Sequence, residues 1–163
     1  MTGESGFFTT PNYPKSYPSN MECEWTIVTS HGYTIELKFE EFNLENSGAC
    51  LYDFVDVRDG SSEFSSLINR FCASSIIAPI RSSDNSLFIK FKSDSNVSET
   101  GFRASWRRVP FDTSTIQAST TQITSTRAAS STQATTTQAT STRKITTTPT
   151  PINGKSCLIF KVI

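Results

Sequence analysis

The chain has 163 residues, and its 15 lysines and arginines are matched by 15 aspartates and glutamates. That balance leaves no global field to recruit nucleic acid or an anionic membrane, and no run of 18 or more apolar residues is present to predict a transmembrane helix. The composition changes abruptly near Asp112: before it, aromatic and aliphatic residues recur between Gly, Pro and Asn turn signals, and after it Thr, Ser, Gln and Ala dominate. The predicted organisation is a folded unit over residues 1–109, of ordinary domain size, a low-complexity stalk over 110–151 and a short extension over 152–163.

In chain order, Pro11-Asn12-Tyr13-Pro14 and Tyr17-Pro18 come first. Proline has no N–H to give a central ladder, so these residues are predicted to form an extended, turned segment. Alternation at period two then begins. Trp25 and Ile27 alternate with Glu24 and Thr26, and Ile35, Leu37 and Phe39 with Thr34, Glu36 and Lys38. Phe54-Val55-Asp56-Val57 follows, then Leu87, Ile89 and Phe91 against Lys90 and Lys92, then Phe102-Arg103-Ala104-Ser105-Trp106. The breaks are Ser30-His31-Gly32, Asp59-Gly60-Ser61-Ser62 and Ser82-Ser83-Asp84-Asn85, residues that tolerate tight or left-handed backbone. No capped helical stretch competes, so the fold class is all-β, an antiparallel sandwich with two sheets packing their apolar faces together.

From Thr113 to Pro151 large apolar side chains are nearly absent, and Thr120 to Arg127 recurs in similar form as Thr136 to Arg143. Such a stretch cannot offset the entropy of folding, and its Ser, Thr and Pro content reads as a mucin-like, O-glycosylated stalk, with an unmodified linker as the plainer alternative. The four cysteines are Cys23, Cys50, Cys72 and Cys157; none forms a C-x-x-C pair, and the single histidine, His31, has no cysteine neighbour, so disulfides are favoured over zinc. Cys50 and Cys72 flank one strand-like stretch, whereas Cys23 has no obvious partner within the unit. Met1 to Gly6 carries neither a basic region nor an apolar one, so no secretory signal is visible.

Three acids stand at predicted strand ends: Glu45 after Phe39-Glu40-Glu41-Phe42, Asp53 after Cys50-Leu51-Tyr52, and Asp94 after Phe91-Lys92-Ser93. Carboxylates gathered at one end of a β-fold are what a hard cation such as calcium requires. Without a cation they would repel and raise one another's pKa. Their surroundings also carry a resemblance. Phe7-Phe8-Thr9-Thr10-Pro11-Asn12-Tyr13-Pro14, Cys23-Glu24-Trp25, the Phe39 to Glu45 segment, Cys50 to Gly60, Arg70-Phe71-Cys72, Phe91 to Asp94 and Gly101-Phe102 occur in the order of a CUB domain, so that residues 6 to 106 resemble this extracellular module.

The resemblance implies a jelly-roll-like sandwich, a Cys50–Cys72 disulfide, and a calcium site formed by Glu45, Asp53 and Asp94. It further implies that backbone carbonyls around Asn96 and Val97 complete the coordination and that Tyr17 steadies a carboxylate from behind. The family pairs the cysteine before the tryptophan, here Cys23, with one near the domain's start. That cysteine is missing, so the chain is expected to be an N-terminally truncated fragment of a secreted or cell-surface protein. Pairing Cys23 with Cys157 would close a very long loop without evident packing in return, so Cys157 is expected to open a following domain or an unrelated extension.

In such modules leftover carboxylate oxygens accept a lysine or arginine of an extracellular protein partner; a carbohydrate ligand has no aromatic platform or basic patch to favour it. Asn96-Val97-Ser98 is an N-glycosylation sequon beside Asp94. No enzyme is predicted, because a turn histidine and no nucleophile motif cannot assemble a triad. The other readings are a non-catalytic recognition piece of a larger secreted protease and a structural, mucin-like surface component.

Overall fold

The computed structural model describes residues 5–111, 151–152, 156–157 and 160–162. Eight strands arise from the N-terminal part: β1 (Ser5–Thr9), β2 (Glu22–Val28), β3 (Tyr33–Asn43), β4 (Phe54–Asp59), β5 (Ser66–Phe71), β6 (Ile80–Arg81), β7 (Ser86–Lys92) and β8 (Gly101–Pro110). They form two antiparallel sheets, one in the order β1-β8-β3-β6 and the other running β5-β4-β7-β2. The alternating residues explain the layering. Trp25 and Ile27, Ile35 and Leu37, Val55 and Val57, Leu87, Ile89 and Phe91, and Phe102, Ala104 and Trp106 all point between the sheets and are buried. Phe102 is the hub, with the rings of Phe8, Trp25, Phe39, Phe42 and Phe91 at centroid distances of 5.4 to 6.3 Å; such pairs add about 0.5–1.5 kcal/mol each beyond the area they bury.

One irregularity gives the Phe39-Glu40-Glu41-Phe42 segment its meaning. The pairing of β3 with β8 shifts register between Phe39 and Glu41, a bulge that inserts one residue and re-aims the rest of the strand. Phe39 and Phe42 therefore both face the core although three residues apart, while Glu40 and Glu41 face water.

The second sheet continues past β2. Strand β9 (Pro151–Ile152) pairs with β10 (Ser156–Cys157), and β10 and β11 (Phe160–Val162) run parallel to β2, with Ser156 opposite Glu22 and Phe160 to Val162 opposite Trp25 to Ile27. This register brings Cys157 beside Cys23, and the two buried cysteines form a disulfide. Cys23 is thus bonded within the chain, and the expectation that Cys157 opens a separate region is corrected. The physical reason is twofold. The outer edge of β2 offers unpaired backbone groups that an added strand satisfies, and loop closure over 134 residues is less costly than its length suggests, each doubling adding only about 0.6 kcal/mol. Residues 112–150 of the predicted stalk, with both repeats, lie outside the described residues.

Candidate metal centre

The antiparallel pairing of β4 with β7 sets Phe54 opposite Lys92, so the residue preceding β4 and the turn following β7 emerge at the same end of one sheet. Asp53 and Asp94 occupy those positions. Glu45 follows β3 in the other sheet, and its loop is drawn across by backbone hydrogen bonds: Leu44 N–H donates to the Ala73 carbonyl at 3.1 Å, and Ala73 N–H to the Glu45 carbonyl at 3.2 Å. The Cys50–Cys72 disulfide ties the loop that delivers Asp53 to the same Ala73 segment. One carboxylate oxygen from each of Glu45, Asp53 and Asp94 consequently lies within 4.8 Å of the others.

The loops are held in conformations an ordinary residue avoids. Asn20, Cys50 and Ala73 have φ of 58°, 49° and 59°, a left-handed region that costs a non-glycine residue about 1–3 kcal/mol and persists where the surroundings over-determine it. Ser47 supplies part of that determination, its Oγ accepting from the N–H of Leu51 at 3.0 Å and its carbonyl from the N–H of Cys50 at 2.7 Å. Ser93 does the same on the other side, accepting from Met21 N–H and donating to the Pro18 carbonyl, both at 2.9 Å. Ser93 stands in the Phe91-Lys92-Ser93-Asp94 motif of the resemblance, whereas Ser47 has no sequence signature that would have marked it.

Tyr17 is the keystone between the two sheets. Its ring is buried edge-on against Phe91 at 5.1 Å. Its hydroxyl donates to Asp53 Oδ2 at 2.6 Å and accepts from Glu45 N–H at 3.2 Å. The other oxygen of Asp53 accepts from Asp94 N–H at 2.7 Å. Burial pushes the Asp53 carboxyl above its usual range, with the two hydrogen bonds opposing and the Asp94 charge reinforcing that rise. Glu45 is raised by desolvation and then by the charges of Asp53 and Asp94. Burial and the bond to Asp53 likewise lift the Tyr17 phenol, keeping its proton available to donate.

The cluster fits a divalent cation on the structure's own terms. Glu45 Oε2 is buried without a hydrogen-bond partner among the described residues, and none of the ion pairs among those residues involves Glu45, Asp53 or Asp94. Asp56 provides the contrast: it too is buried, but Arg70 grips both its oxygens at 2.7 and 2.9 Å, so its charge is already compensated by a cationic side chain. Asn96 and Val97 are exposed in the loop after Asp94, where the Asn96 N–H donates to Asp94 Oδ1 at 2.8 Å. The contact seen between Asn96 and the cluster is thus made by its amide rather than its carbonyl. Leu51, Tyr52 and Val97, 70%, 51% and 49% exposed, lie within three residues of Asp53 or Asp94 and give these loops an apolar rim. His31 is exposed in the turn before β3, remote in sequence from each of these acids.

A sequence model of the CUB domain matches residues 1–106. The chain is 45% identical over 104 residues to human Tolloid-like protein 2, covering 64% of this chain and 10% of that protein; it therefore spans about one-tenth of the length of that relative. Among solved structures, it resembles the full extracellular region of zebrafish Gpr126/Adgrg6, with a TM-score of 0.59 at 33% identity over 66% of this chain and 14% of the other. It also resembles the MASP-1 CUB2 domain bound to Ca2+, with a TM-score of 0.56 at 32% identity over 63% of this chain and 90% of the other.

Proposed function

Since the chain belongs to the CUB domain family, we propose that it is an extracellular, non-catalytic protein-interaction module. It takes up calcium between Glu45, Asp53 and Asp94 and uses the ordered loops to capture a basic side chain of a partner protein. The observation that carries this reading is the convergence of three carboxylates within 4.8 Å, none of them in an ion pair among the described residues. The Ca2+-bound MASP-1 CUB2 relative and the extracellular region of the zebrafish relative support the metal and the compartment respectively.

Calcium takes about six to eight oxygen ligands, so the carboxylates would be joined by carbonyls of the Asn96 and Val97 loop and by water. When bound, the ion would compensate the burial of the Glu45 and Asp53 carboxylates, the first cause of their raised pKa, and the smaller repulsion among the three acids. The remaining work belongs to the chain. Tyr17 orients Asp53, the Asp94 amide fixes its second oxygen, and carboxylate lone pairs left over at the rim accept a lysine or arginine in a charge-assisted bond. The exposed Leu51, Tyr52 and Val97 offer apolar contact to the stem of such a side chain.

Calorimetry on the chain and on Asp94→Ala tests the site. Calcium binding that disappears in the variant supports it, and an unchanged isotherm refutes the assignment.

A further inference from the structure

The loop between β7 and β8 carries a feature that calcium binding does not use. Asn96-Val97-Ser98 has the N-x-S pattern with a non-proline centre, and it lies outside any strand, with Asn96 and Val97 exposed and Ser98 half-buried. The Asn96 side chain is nearly unengaged. Its Oδ1 accepts from Ser95 Oγ at 3.3 Å, and its Nδ2 has no hydrogen-bond partner among the described residues. The backbone of the same residue is fixed, because its N–H is bonded to Asp94 Oδ1 at 2.8 Å. The root of anything attached to Nδ2 therefore stands two residues from Asp94, which is itself tied to the fold by its N–H, donating to Asp53 Oδ1 at 2.7 Å, and by its carbonyl, accepting from Asn20 N–H at 2.6 Å.

We propose that Asn96 is an N-glycosylation site whose glycan stands over the metal end and admits calcium while slowing the approach of a macromolecular partner. In the modifying step Nδ2 forms a bond to the anomeric carbon of an oligosaccharide donated by a lipid-linked diphosphate. The anomeric C–O bond breaks, the lipid diphosphate leaves, and the amide gives up one proton. A glycan is bulky and hydrated, which obstructs a protein surface but not a small ion. The apolar rim residue Val97, immediately beside the attachment point, is the first contact such a glycan would cover. The gating role rests on the calcium-dependent capture proposed above; the modification itself does not.

The test uses the full chain secreted from cultured animal cells. Tryptic peptides spanning residues 93–103 are analysed by mass spectrometry before and after enzymatic glycan release in heavy-oxygen water, which converts a glycosylated Asn96 to labelled aspartate. Binding is then measured on immobilised poly-L-lysine in calcium for wild type, Ser98→Ala, which abolishes the sequon and leaves Asn96 in place, and Ser98→Thr, which restores it. The expected result is an occupied Asn96 in wild type and Ser98→Thr. Ser98→Ala should associate with polylysine at least about threefold faster, a change in on-rate rather than in dissociation, with the calcium isotherm unchanged.

An unmodified Asn96 in the secreted protein overturns the proposal, as does polylysine association that is the same in Ser98→Ala and wild type. If Asn96 is occupied but neither form binds calcium or polylysine, the capture reading has failed and the gating role falls with it, while the modification stands.

Discussion

Replacing Tyr17 by phenylalanine removes one oxygen from the junction between the two sheets and leaves the ring against Phe91 in place. That oxygen makes two hydrogen bonds, a donation to the buried Asp53 carboxylate at 2.6 Å and an acceptance from Glu45 N–H at 3.2 Å. A bond to a charged group contributes about 1.5–3 kcal/mol net and a neutral one about 0.5–1.5 kcal/mol. Water reaching the half-buried Glu45 loop recovers part of the second, so the expected loss is about 2–4 kcal/mol. Against a typical domain stability of about 5–15 kcal/mol, this is readily seen in urea unfolding at neutral pH with a chelator present. Calcium affinity should fall about 10–100-fold, as for other groups that orient a metal ligand from behind. If Tyr17→Phe unfolds within about 0.5 kcal/mol of the wild type, the range of an ordinary surface substitution, the hydroxyl does not bridge the loops and the argument for a preformed site fails.

Other outcomes follow from the same geometry. Glu45 and Asp53 titrate above their usual range, burial being the first cause in each. The calcium-free fold therefore binds more protons than the unfolded chain between the ordinary and the raised pKa, and their contribution to stability is lost as pH rises through that window. In chelator, Glu45→Gln should gain on the wild type in melting temperature as pH is raised from about 4 to 7, and a difference that stays constant across that range would refute the shift. Gly101 has φ of +83° and a side chain there would strike Thr10, whose Oγ1 accepts from Phe102 N–H at 3.1 Å; Gly101→Ala should cost about 1–3 kcal/mol, read from denaturant midpoints, and a neutral result would argue against this packing. Non-reducing peptide mapping should recover Cys23 joined to Cys157 and Cys50 joined to Cys72; an alkylatable Cys23 would show that the C-terminal strands do not dock on β2.

Most of the sandwich could be read before any coordinates. Strands β3 and β8 are largely buried on one face, and a half-buried strand writes its period of two directly into the chain; β2, β4 and β7 keep alternating apolar residues on the core face although the other face is partly covered as well. Strands β1, β5 and β6 are sheet edges or very short. In β5 the burial pattern is almost wholly exposed, so no alternation was available to find it. The bulge in β3 breaks the alternation between Phe39 and Phe42, so the period of two did not reveal it.

The composition and alternation of the sequence by themselves determined the fold class, the break near Asp112 and the presence of acids at three strand ends. Those are local properties, set by side chains and their immediate neighbours. Composition and alternation did not say which ends meet; the family resemblance implied it, and the tertiary structure supplies the physical reason. Asp53 and Asp94 are joined by the antiparallel register of β4 and β7, and Glu45 only by a loop crossing between sheets under Tyr17. It also decided the fate of Cys23, because an exposed strand edge accepts whichever segment can pair with it, and pairing between residues 134 apart leaves no periodic trace in the chain.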